Sequence, residues 1–247
     1  MKIYHITYEP TYKSVDIHFW TECDLNCRSC YTKYEKRDFG LLDDPISMIA
    51  TKSKEDPPYY FMSLEGVIGL LKDLEIDHVI FMGTEPILDP ELPLLAEKLH
   101  QMFNCYIAIL TNGFRYSNLE HIDEVIFSLK ALSDDLHRDY TGRSNKSIID
   151  NLISIYSSGK KLQVETVLIP DYIDADEIER IASFIASVDK AIPLRIDAYF
   201  PVGENPWRAA SASEVEAAAG LARKHLDNIS CLTLDMKRIG DKSIRLF

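Results

Sequence analysis

The chain has no apolar run near the roughly 18 residues that cross a bilayer, so no membrane span is expected. Its first residues, Met1-Lys2-Ile3-Tyr4-His5-Ile6-Thr7, lack the apolar stretch of a signal peptide. Cysteine is scarce, five in 247 residues, and three of the five fall within eight positions. That spacing argues against a secreted disulfide scaffold, and a soluble cytoplasmic protein is expected. Positive charge is also short: 27 Lys and Arg against 39 Asp and Glu give a net charge of −12. Proteins that bind nucleic acid draw most of their affinity from neutralised phosphates, so tight binding of DNA or RNA is not expected. Lys33, Lys36 and Arg37 gather locally, but Glu35 and Asp38 interrupt them, as in a solvated loop. Internal repeats and low-complexity tracts are absent.

The chain does have enough apolar residues, 46%, for a sizeable core. Strand patterns are expected at Val15–Trp20, His78–Gly83, Cys105–Leu110, Val125–Leu129, Leu162–Ile169, Leu194–Phe200 and, last and short, Cys231–Asp235. Helix patterns alternate with them at Ser63–Leu74, Glu91–Met102, Leu119–Glu124, Ser147–Tyr156, Asp174–Val188 and Ser211–Leu226. Six repeated strand–helix units imply a parallel sheet covered by helices. Six is short of a closed eight-stranded barrel. The expected fold is an open, partial (β/α)6 barrel of parallel strands with outer helices, in one domain over 1–247; a flavodoxin-like open sheet is the alternative. In either fold, sites belong at the C-terminal ends of the strands. Residues 31–62, with Pro45, Pro57 and Pro58, form a polar connection longer than usual loops, which marks it as functional or mobile.

Cys23, Cys27 and Cys30 follow the first of these strands, with three residues between the first pair and two between the second. Three thiolates can hold three irons of a [4Fe-4S] cube and leave the fourth iron open to a substrate or cofactor. A structural zinc site, with His18 as the fourth ligand, and plain buried thiols stay open on this triad alone. Cys105 and Cys231 lie in apolar strand patterns and read as buried structural thiols.

Other motifs recur at strand ends. Gly83-Thr84-Glu85-Pro86 ends one strand, Leu110-Thr111-Asn112-Gly113-Phe114 the next, and Phe127-Ser128-Leu129-Lys130 the one after, running on to His137 and Gly142. Together with the Cys spacing these resemble the radical S-adenosylmethionine (SAM) superfamily. Within it they are most similar to the glycyl-radical-enzyme activases of the pyruvate formate-lyase activating enzyme group. The resemblance is densest over 19–31 and 80–170. It implies a [4Fe-4S] cluster on the three Cys, SAM chelated at the open iron, and hydrogen abstraction from a glycine of a partner enzyme. Gly83, Thr84 and Glu85 are then expected to receive the SAM amino group, with oriented acceptors matched to a charged amine. Lys130 is expected to meet its carboxylate, beside Thr111, Asn112 and Ser128, and Val167 and Asp197 to lie on the adenine side. An electron donor such as flavodoxin or ferredoxin and a glycyl-radical enzyme are the implied partners. A radical SAM enzyme acting on a small molecule, a peptide or RNA is the second reading, and a non-enzymatic metal-binding module the third.

The chain departs from that group in places. Ser29 stands where an aromatic precedes the third Cys, and Thr84 replaces a Gly. Leu110 and Ser128 stand where two Asp ligands of a monovalent cation are found, Glu165 where an Arg approaches SAM, and Phe200 where a His lies. These changes bear on how SAM is seated and which sulfur–carbon bond breaks. Alternation in the sixth strand places Arg195, Asp197 and Tyr199 toward the cavity, and Trp207 is expected to anchor the loop that follows.

Overall fold

A computed structural model describes residues 1–44, 49 and 52–247; Pro45 and part of the long connection lie outside them. Among the described residues nine strands form one sheet: β1 (Ile3–Glu9), β2 (Ser14–Phe19), β3 (His78–Gly83), β4 (Tyr106–Thr111), β5 (Glu124–Ser128), β6 (Lys161–Leu168), β7 (Leu194–Ala198), β8 (Ile229–Leu232) and β9 (Ile244–Arg245). The spatial order is β8-β7-β6-β5-β4-β3-β2-β1-β9. From β2 to β8 every neighbouring pair is parallel, and β1 joins β2 and β9 antiparallel at one side. The described helices are α1 (Leu64–Leu71), α2 (Leu92–Phe103), α3 (Asp134–Thr141), α4 (Lys146–Ser157), α5 (Ala175–Val188) and α6 (Ala212–Ala222). This is the open, mostly parallel α/β architecture expected. No described helix is long and apolar enough to cross a membrane.

The parallel strands divide their side chains by alternation. Val15, Ile17 and Phe19 of β2, Val79 and Phe81 of β3, Ile107 and Ile109 of β4, and Val164 of β6 are completely buried. They share the main core with Leu95 and Leu99 of α2, Ile148 and Leu152 of α4, and Ile178 and Ile181 of α5. The other set, including Asp16, His18, Met82, Ser128, Glu165, Arg195 and Asp197, falls on the opposite face of the sheet. Burying one face of each strand under helices fixes the register, since a one-residue slip would exchange the two sets.

The sequence pattern missed β1, whose run Ile3 to Thr7 is buried on both faces and so carries no alternation. The helix expected at Leu119–Glu124 does not form. Leu119 and Ile122 are buried in a turn, and Glu124 already begins β5. Two apolar residues three apart mimic one helical turn, but a four-residue turn does so equally well. The last parallel strand runs Ile229–Leu232, earlier than the expected Cys231–Asp235.

Candidate active site at the strand ends

The cysteine loop leaves the C-terminal end of β2 and is clasped to β3. Gly83 has φ +118°, and a Cβ there would stand 2.2 Å from the Phe19 carbonyl oxygen, so only glycine permits this approach. The next residue uses its side chain. Thr84 Oγ1 accepts from the Thr21 amide at 2.8 Å and donates to the Thr21 carbonyl at 3.0 Å. The Thr84 amide donates to the Phe19 carbonyl at 2.9 Å. The departure from glycine at 84 therefore ties down the start of the loop two residues before Cys23. Further along, the Asn26 amide donates to the Thr141 carbonyl at 2.8 Å and the Arg28 amide to the Tyr140 carbonyl at 3.0 Å, which seats the loop on the end of α3. The Ser29 and Tyr140 hydroxyls are hydrogen-bonded to each other. Ser29 thus sits against an aromatic ring supplied by α3 instead of carrying one.

All five cysteines are free thiols. The Asn112 side-chain amide donates to Cys23 Sγ at 3.4 Å. Desolvation pushes the Cys27 thiol up to about 11, with the Lys130 charge opposing the rise, while Cys23 is exposed and solvent limits the rise of its thiol. Thiolates at these positions need a bound positive charge. His18 is not a fourth ligand here, because its Nε2 is 2.9 Å from Asp38 Oδ2 in a buried pair. Among the described residues no three His, Cys, Asp or Glu side chains are already gathered as a metal centre. The donor chemistry nevertheless fits an iron–sulfur group: three unpaired thiols on one anchored loop, with a side-chain amide directed at one sulfur.

Glu85 is 1% exposed and braces the neighbouring strand. Its Oε1 accepts from Thr111 Oγ1 at 2.7 Å and its Oε2 from the Asn112 amide at 2.8 Å. Burial raises its carboxyl to about 7, against the lowering effect of those two bonds. Its backbone carbonyl accepts from Thr21 Oγ1 at 2.6 Å. Glu85, Thr111 and Asn112 are therefore one bonded unit beside Cys23.

A second polar unit spans β5 to β7. Ser128 donates to Glu165 Oε1. Arg195 reaches Glu165 Oε2 at 2.5 Å and Asp197 at 2.8 and 3.0 Å. Val167 lies opposite Asp197 in the parallel register. Lys130, half-buried just past β5, makes no hydrogen bond or ion pair among the described residues. Its charge acts to lower the Cys27 thiol and the Asp197 carboxyl, so the ammonium lies within electrostatic reach of both. Alternation put Arg195 and Asp197 on the inner face as expected, but Tyr199, expected with them, lies past the end of β7 and is buried in the main core. Sequence reasoning missed the tie of Arg195 to Glu165, which depends on which residues lie opposite across strands.

Two loops meet over these strand ends. Tyr34, Leu42 and Ile49 bury against Val202 in a small core separate from the main one, with Tyr31, Phe39 and Phe200 packed on it. A Cβ at Gly203 would stand 2.2 Å from the Tyr34 hydroxyl. The Arg28 guanidinium lies 4.7 Å from the Trp207 ring, which stacks on Tyr172 at 4.4 Å. Trp207 thus anchors its loop against the cysteine loop, and the Asn205 side chain adds a bond to the Arg28 carbonyl at 3.0 Å.

Residues 17–185 match the Radical SAM superfamily model. The chain belongs to this superfamily. It is therefore a radical SAM oxidoreductase, and its relatives narrow the likeness. It is 32% identical over 227 residues to a Methanocaldococcus jannaschii protein assigned as a glycyl-radical enzyme activating enzyme, covering 87% of this chain and 79% of that one. It is 25% identical over 218 residues to the pyruvate formate-lyase-activating enzyme of Clostridium pasteurianum, covering 85% and 87%. Among solved structures, SuiB of Streptococcus suis superposes with a TM-score of 0.62 at 15% identity, over 89% of this chain and 48% of that chain. That likeness is one of fold: a radical SAM partial barrel.

Proposed function

We propose that this radical SAM enzyme holds a [4Fe-4S] cluster through Cys23, Cys27 and Cys30 and serves as an activase, removing a hydrogen from a glycine of a partner enzyme. The cluster supplies, when bound, the electron that breaks a sulfur–carbon bond of SAM. The single observation that carries the reading is the placement of Lys130. A half-buried cation without a hydrogen bond or ion pair among the described residues lies within electrostatic reach of Cys27, and an anionic group held near that thiol would meet it. Gly83, Thr84 and Glu85 would receive the SAM ammonium, with Glu85 already held by Thr111 and Asn112, and Ser128 would stand near the carboxylate side with Lys130. The similarity to activating enzymes over most of the chain supports glycine as the target. A small electron-donor protein such as flavodoxin or ferredoxin completes the scheme.

A second reading, a small-molecule or peptide substrate, draws on a specific feature. The 31–42 and 200–203 segments pack on each other beside the cysteine loop, and such a cover would suit a small substrate better than a folded partner. Reduced, reconstituted enzyme incubated with SAM separates the readings. The activase yields 5′-deoxyadenosine and a glycyl radical on a large partner, seen by paramagnetic resonance. 5′-Methylthioadenosine as the sole product would contradict hydrogen abstraction and would point to SAM seated differently beside Leu110 and Ser128.

A further inference from the structure

The three residues after Lys130 are held from two other elements. Glu177 Oε1 accepts from the Leu132 and Ser133 amides, both at 2.7 Å, and its Oε2 accepts from the Ser133 hydroxyl at 2.7 Å. The Asn145 side-chain amide donates to the Ala131 carbonyl at 3.2 Å and to the Leu132 carbonyl at 2.5 Å. Glu177 is 3% exposed and Asn145 2% exposed. A buried carboxylate is costly unless hydrogen-bonded, and this one accepts three bonds from a loop more than 40 residues away in sequence, beside a longer one at 3.4 Å from Arg180 of its own helix. Ser133 stands at the N-cap of α3 but makes no capping bond to that helix. A serine there normally caps, and its hydroxyl is given to Glu177 instead.

The other end of α3 receives the cysteine loop through the Asn26 and Arg28 amides and the Tyr140–Ser29 pair. The helix therefore links the backbone beside Lys130 to the backbone beside Cys27. We infer that Glu177 is a positioning residue for SAM binding: by fixing residues 131–133 and the start of α3, it sets the separation of Lys130 from the cysteine loop. This rests on the reading of Lys130 as the partner of the SAM carboxylate. A charged side chain with no partner of its own has many rotamers, and its backbone must be fixed if the head is to meet a small anion at one place.

The test compares Lys130→Ala, Glu177→Gln and the double variant in reconstituted enzyme, with SAM titrated calorimetrically and amide hydrogen exchange read by mass spectrometry. Glutamine keeps the volume of Glu177 but removes its charge; Ser133→Ala, which deletes the hydroxyl's bond to Glu177 and the one it accepts from Arg180, is the second variant should Glu177→Gln fold poorly. Glu177→Gln is expected to retain full iron and sulfide, to speed exchange over 131–133, and to weaken SAM binding by about tenfold. The double variant is expected to bind no more weakly than Lys130→Ala, since residues acting through one another are not additive. Unchanged exchange over 131–133 would overturn the positioning role, as would losses that simply multiply. Lys130→Ala binding SAM like the parent would instead overturn the reading of Lys130, and Glu177 would then have no SAM contact to position.

Discussion

Arg195 lies directly opposite Glu165 in the parallel register of β7 and β6 and reaches its carboxylate at 2.5 Å, while the same guanidinium holds Asp197. One cation thus serves two carboxylates on the inner face of the sheet. The resemblance read from the sequence implies an Arg at the position of Glu165; here the cation, Arg195, stands one strand further along. Replacing Arg195 by Met should leave Glu165 and Asp197 close together without compensation. Breaking a buried pair costs about 3–5 kcal/mol, and the partial exposure of Arg195 reduces this to about 2–3 kcal/mol. Urea unfolding of the cluster-free protein measures it, and a loss below about 0.5 kcal/mol would show that Arg195 is not what holds the two acids.

Thr84 should matter for cluster retention rather than for folding. Thr84→Gly restores the motif glycine but removes the clasp on Thr21. Losing hydrogen bonds worth about 1 kcal/mol at the loop root should speed cluster loss to a chelator by roughly five- to tenfold. Thr84→Ser keeps the hydroxyl and should behave like the parent. Equal loss rates for Thr84→Gly and the parent would remove the clasp from the account.

Glu85 gives a pH dependence whose sign follows from its raised carboxyl, about 7 in the fold. The folded state holds a proton there that the unfolded chain, titrating at the ordinary carboxylate value, has already released. Stability is therefore lost as pH rises from the ordinary value through about 7. Relative to Glu85→Gln, the parent should lose about 3 kcal/mol across that window. Asp16, raised by burial to about 8, acts in the same direction, so the comparison with the Gln variant isolates Glu85. Unfolding free energies of the cluster-free protein from pH 4 to pH 9 read the difference. A parent and variant whose curves stay parallel would mean that burial does not raise the Glu85 carboxyl above its ordinary value.

Much of the fold was legible because helices cover one face of each parallel strand, so the apolar runs from Val15 to Ile196 stand out. β1 was not legible, since residues buried on both faces show no period, and the turn around Leu119 showed how two apolar residues can imitate a helix. The cysteine spacing and the strand-end motifs pointed to the site because each is contiguous in sequence. Thr21 with Thr84, Arg195 with Glu165, and Glu177 with Ser133 were invisible, being partners that meet only when strands and helices are placed side by side. The meeting of the 31–42 and 200–203 segments was hidden for the same reason: a polar connection gives no sign of what its few aromatics will pack against.

The central claim is that the three clustered cysteines hold the centre that cleaves SAM. It is tested most directly by anaerobic reconstitution of the parent, Cys27→Ala and Cys105→Ala, with iron and sulfide counted and 5′-deoxyadenosine measured after reduction with SAM. The parent and Cys105→Ala should carry a full [4Fe-4S] complement and form 5′-deoxyadenosine, and Cys27→Ala should do neither. A Cys27→Ala protein with normal cluster content and turnover, or a parent that takes up zinc without sulfide and leaves SAM intact, would contradict the account.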